Sequence, residues 1–130
     1  MIKTSHNQLV RTNEIKWMPL DEDLVKGVFI KSLLFDEENK RSPTILLRFE
    51  AGATYPLHNH PGGEEIYVLE GDVKLGKTEL KTGDYLFTAV NHKHRVSTQN
   101  GCILLLKVPQ PVKILESRGE NDLGDESHES

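Results

Sequence analysis

The stretch that decides the fold is GATYPLHNHPGGEEIYVLEG, Gly52 to Gly71. The chain has six histidines, and two of them, His58 and His60, stand one residue apart just ahead of a Gly-Gly-Glu-Glu step into an apolar run. Successive side chains of an extended chain alternate faces, so His58 and His60 point the same way. Two imidazoles on one face make a chelating arrangement. Gly62 and Gly63 let the backbone turn without a Cβ penalty, which brings Glu64 back beside the imidazoles at the start of the next strand. Gly71 then interrupts that strand. A His-x-His pair alone is weak, expected by chance about 0.3 times at this histidine content. Requiring Gly52, Glu64 and Gly71 at their offsets lowers the expectation to the order of 10⁻⁴. Glu65, next to Glu64, faces the other way and reads as an exposed or interfacial carboxylate.

The rest of the chain supplies a β framework for this stretch. VKGVFIKSLLFD (Val25 to Asp36), TILLRFE (Thr44 to Glu50), EIYVLEG (Glu65 to Gly71), DYLFTAV (Asp84 to Val90) and CILLLKVP (Cys102 to Pro109) are short, rich in β-branched and aromatic residues, and separated by Gly, Pro, Asn and Asp clusters. DVKL and KTELKTGD form a hairpin turning at Gly76. SHNQLVRTNEIKW allows at most a helical turn, and no segment sustains a 3.6-residue period. The pattern is that of an all-β sandwich or barrel.

Composition excludes several function classes. At 130 residues the chain is one domain that needs no disulfides. Its lone cysteine, Cys102, lies in an apolar run and reads as a core residue. The net charge of −4 is concentrated in the tail from Glu116 to Ser130, where six acids face one arginine. The nearly neutral remainder gives no basic footprint for nucleic acid. The tail reads as a disordered acidic segment in which His128 is solvated. No apolar run approaches the ~20 residues of a membrane span, and the N-terminus has no secretion signal, so the expectation is a soluble, cytoplasmic protein with neither membrane nor nucleic-acid partners.

The spacing of Gly52, His58, His60, Glu64 and Gly71 resembles the first motif of the cupin family. A second cupin motif resembles GDYLFTAVNHKHRVST, with Gly83 and His94 in place, while Ala89, Asn91 and Thr98 stand where proline, glycine and asparagine are usual. Asn91 is among the few residues that tolerate the left-handed conformation a glycine would adopt there. From Trp17 to Val108 the wording is most similar to the cupin domain of ChrR-type anti-sigma factors and of dioxygenases that cleave acetylacetone and hydroxyacetophenones. The fold this implies is a single-domain double-stranded β-helix, a jelly-roll barrel, over 17–115, between an N-terminal segment 1–16 and the tail 116–130. With sixteen residues before Trp17 and no cysteine among them, sigma-factor inhibition of the ChrR kind is not expected.

The resemblance implies four metal ligands, His58, His60, Glu64 and His94, with Glu64 also the candidate general base. Such an N/O site suits Fe(II), Mn(II), Ni(II), Co(II) or Zn(II) rather than calcium. His92, two residues before His94, is a candidate fifth ligand or orienting partner. Tyr55, Tyr67, Phe87 and Leu105 are expected to fill the barrel, with pocket lining the alternative. The implied function is a non-haem metal-dependent dioxygenase acting on a small diketone- or hydroxyketone-like molecule. The alternative is a non-catalytic zinc cupin acting as a ligand sensor or scaffold. The resemblance also implies a homodimer, with Trp17 in EIKWMPL as an apolar anchor.

Overall fold

A computed structural model describes residues 6–116, so the acidic stretch beyond Glu116, with His128, lies outside the described residues. Among the described residues nine strands run in sequence: β1 Met18–Pro19, β2 Lys26–Leu34, β3 Thr44–His60, β4 Glu64–Leu75, β5 Thr78–Lys81, β6 Tyr85–Thr88, β7 His92–Ser97, β8 Cys102–Lys107 and β9 Lys113–Ile114. Every pairing is antiparallel. A single 3-10 turn at Thr12–Glu14 is the helical element among the described residues, and no helix there is long and apolar enough to cross a membrane.

The two longest strands each serve both layers of a jelly roll. The first half of β3 lies between β2 and β8, and its second half lies between β7 and β9. β4 pairs early with β6 and β8, then with β5 and β7. A strand that crosses between layers must change which parity faces inward, and a bulge does that by adding one unpaired residue. In β4, Glu64, Ile66 and Val68 face in, whereas beyond an irregularity between Val68 and Glu70 the buried positions are Val73 and Leu75. In β3 the corresponding irregularity falls between Tyr55 and His58.

The core formed this way includes Val28, Phe49, Ile66, Val68, Val73, Leu75, Leu104 and Leu106. Each such side chain taken out of water contributes about 1.5–3 kcal/mol. Cys102 belongs to the same cluster, as expected, and burial pushes its thiol up to about 12. The segment before the barrel is tied down: Lys31 Nζ donates to the Thr12 carbonyl at 2.6 Å and lies over the Trp17 ring. At the other end, Glu116 accepts from Arg95 Nη2 at 2.8 Å and from the Leu57 amide at 2.5 Å. These bonds anchor β9 and the residues after it against β3 and β7.

β3 runs on past Glu50 and β4 past Gly71, the ends expected from the sequence. The hairpin at Gly76 is present, with Leu75 opposite Thr78.

Candidate metal centre

The cross-strand register brings the histidines together. His58 on β3 lies opposite His94 on β7, and directly opposed residues of an antiparallel pair share a face. His60 is two residues further along that face. Its carbonyl accepts the amides of Gly63 at 3.1 Å and Asn91 at 2.7 Å, which joins the end of β3 to the start of β7. Gly63 has φ +77°, and a Cβ there would sit 2.9 Å from the Thr88 carbonyl, so this tight return needs glycine. Asn91 adopts φ +63°, the left-handed conformation expected of it.

One ring nitrogen of each of His58, His60 and His94 lies within 4.8 Å of the others, close enough for the three to hold one metal ion. The rings are buried, at 3%, 0% and 0% exposure. His58 Nδ1 lies 2.7 Å from the Pro56 carbonyl, so Nδ1 carries the proton and Nε2 keeps its lone pair. The bulge that includes Pro56 therefore both turns His58 inward and fixes its tautomer. His60 Nε2 and His94 Nε2 stand 3.0 Å apart, and His60 Nδ1 is buried without a hydrogen-bond partner.

Protonation does not relieve this crowding. Burial lowers His58 to about 4, and burial together with neighbouring histidines lowers His60 and His94 to about 3. At neutral pH the cluster is three neutral imidazoles. Glu64 is 5% exposed, and burial raises its carboxyl from 4.5 to about 8. Its Oε1 lies 3.5 Å from His60 Nε2. Crowded neutral nitrogens beside a buried carboxyl fit a divalent cation, which takes lone pairs and offsets the negative charge.

The site opens on a cavity. Its volume is about 190 Å³, and apart from His58, Glu64, Tyr55 and Glu22 the lining is apolar, with Leu47, Ile66, Leu104 and Val112 in the wall. Tyr55 and His58 both reach it because the bulge between them reverses the parity of β3. Tyr55 stands edge-on to His58 with ring centroids 4.8 Å apart.

Several residues expected to fill the barrel, or alternatively to line a pocket, do neither. Tyr67 and Phe87 are 40% and 58% exposed, facing outward with Glu65, which accepts from the Tyr85 hydroxyl at 2.8 Å. Their parity on β4 and β6 is opposite to that of Glu64 and Thr88. Leu105 is half-buried outside the cavity lining, and half-buried His92 pairs with His60 across the strands without joining the three-histidine group. Glu22 is the charged cavity residue that sequence reasoning missed, since it comes from an acidic loop with no motif of its own.

Residues 5–111 match the family described as the ChrR Cupin-like domain. A putative acetylacetone dioxygenase from Methylibium petroleiphilum PM1 superposes with a TM-score of 0.79 at 18% identity, over 92% of this chain and 89% of that one. Anti-sigma ChrR, solved with SigE of Rhodobacter sphaeroides, superposes with a TM-score of 0.63 at 24% identity, over 75% of this chain and 51% of that one. The DNA damage-repair/toleration protein DRT102 of Arabidopsis thaliana is 36% identical over 64 residues, 44% of this chain and 21% of its own length. The chain thus spans about a fifth of that plant protein. At these identities the structural likenesses establish the fold.

Proposed function

The chain belongs to the ChrR cupin-like domain family, and we propose on that premise that it is a non-haem metal-dependent dioxygenase acting on a small diketone or hydroxyketone. The observation that carries this reading is the cavity: the histidine cluster meets, through His58 and Glu64, an apolar space of about 190 Å³. A purely structural ion has no use for such a space. At interior packing density a cavity of this size takes a ligand of about six to nine non-hydrogen atoms, below the range of drug-sized pockets.

His58, His60 and His94 would hold the metal, with Glu64 beside them. Fe(II) held there supplies Lewis acidity toward paired substrate oxygens and one-electron chemistry toward dioxygen. Glu64, buried beside the histidines and ionised once a cation offsets its charge, would serve as general base for the weakly acidic proton between two carbonyls. The apolar walls exclude water and orient the substrate's carbon skeleton.

A second reading draws support from the 3.5 Å separation of Glu64 and His60. Four protein donors would close a tetrahedral zinc and leave a non-catalytic ligand sensor or scaffold. Oxygen uptake by the Fe(II)-loaded protein with a panel of small diketones separates the two. Consumption with at least one member supports the dioxygenase, whereas none across the panel, together with stoichiometric zinc in the protein as purified, supports the sensor.

A further inference from the structure

The cavity is selective in the charges it presents. Its lining includes the two acids Glu22 and Glu64 and neither lysine nor arginine. Glu22 sits half-buried on the loop between β1 and β2 and also borders an outer hollow with Leu24 and Thr54, which places it at the cavity mouth. The Tyr55 hydroxyl donates to Glu22 Oε2 at 2.5 Å. Tyr55 is itself 7% exposed, so this bond ties the Glu22 carboxylate to a buried residue of the wall. Lys26 borders the same outer hollow, yet among the described residues no ion pair forms with Glu22.

We propose that Glu22, tethered by Tyr55, is a specificity-determining residue that turns carboxylates away from the cavity and admits neutral ketones, enols and alcohols of the same size. The inference rests on the reading above that a small ligand enters beside a bound metal. An entering carboxylate gives up its hydration, meets no lysine or arginine in the lining on its way to the metal, and approaches the charge of Glu22. A neutral diketone brings no net charge, even when its proton passes to Glu64. Two unit charges roughly 8 Å apart at an effective dielectric of about 20 lower affinity on the order of tenfold to thirtyfold. Chelating carboxylates bind divalent metals well, so a filter at the mouth keeps such metabolites from occupying the site. Tyr55 is a positioning residue in this scheme, acting through Glu22.

The test uses the full chain loaded anaerobically with Fe(II) and two isosteric probes, acetylacetone and acetoacetate, titrated by calorimetry. The wild type is expected to bind acetylacetone at least about tenfold more tightly than acetoacetate. Glu22→Gln keeps an acceptor for Tyr55 but removes the charge, and is expected to strengthen acetoacetate so that the ratio falls to within about threefold. Tyr55→Phe, which releases Glu22, is expected to lower the ratio as well, a change that loss of packing alone does not produce. Equal binding of the two probes by the wild type, or an unchanged ratio in Glu22→Gln, overturns the filter and leaves the metal-site reading standing. Binding of neither probe by the metal-loaded wild type removes that reading and the filter with it.

Discussion

Replacing Glu64 by glutamine separates the demands of the metal site from those of the fold. Burial raises the Glu64 carboxyl from 4.5 to about 8. The metal-free folded protein therefore holds this proton more tightly than the unfolded chain, and its stability falls as pH rises from 4.5 toward 8. At 1.36 kcal/mol per pKa unit, the loss between pH 5 and pH 8 is about 3 kcal/mol. Glutamine resembles the protonated acid and does not titrate. In chelator-treated protein the stability of Glu64→Gln relative to wild type should rise by about 3 kcal/mol over that interval, and the histidines, common to both, cancel. For a domain of this size that change amounts to roughly 10 °C in relative melting temperature. With a divalent metal present the order should reverse, because the ionised carboxylate then has its cation and the wild type gains more from binding. Urea unfolding at several pH values, with chelator and with metal, measures both. A stability difference that is flat in pH, or that has the same sign with and without metal, would refute the reasoning.

Three further outcomes follow from the same geometry. Burial holds His58, His60 and His94 at about 4, 3 and 3, below their ordinary 6.5, so the metal-free protein should lose stability as pH falls below about 6.5, by roughly 2–3 kcal/mol per pH unit near pH 5.5 after the opposing effect of Glu64; a urea midpoint constant from pH 6.5 to 5 would contradict this. Gly71→Ala places a Cβ 2.0 Å from the Gly101 carbonyl oxygen at φ +89° and should cost more than about 3 kcal/mol, which a thermal melt within a few degrees of wild type would disprove. Glu116→Ala removes the acceptor of Arg95 and of the Leu57 amide and should cost about 2 kcal/mol, with faster proteolysis after β8; an unchanged digestion pattern would show that the latch does not hold this segment.

The placement of His58, His60 and Glu64 was legible because its signal is local. His58 and His60 share a face by strand parity, and Gly63 returns the chain so that Glu64 follows at once. Parity also placed Glu65 outside, and carried two residues further the same rule puts Tyr67 outside too. His94 required a motif rather than parity, since its approach to His58 depends on which strand pairs with β3, a choice made by the whole barrel. The cavity was not legible. It depends on the bulge between Tyr55 and His58, which adds a residue without any signature beyond Pro56, and on Glu22, which reaches the wall from a loop distant in sequence. Periodicity reads which side of a strand a residue faces until the strand is interrupted, and here the interruptions fall where β3 and β4 pass between layers.

The central claim, that His58, His60 and His94 hold one divalent metal ion, is tested most directly by elemental mass spectrometry of the purified protein beside His94→Ala. The prediction is about one iron, manganese, nickel, cobalt or zinc per chain in the wild type and little in the variant, with both proteins folded by circular dichroism. A wild type that carries no metal even after incubation with each of these ions and desalting, or a variant that retains the full complement, would contradict it.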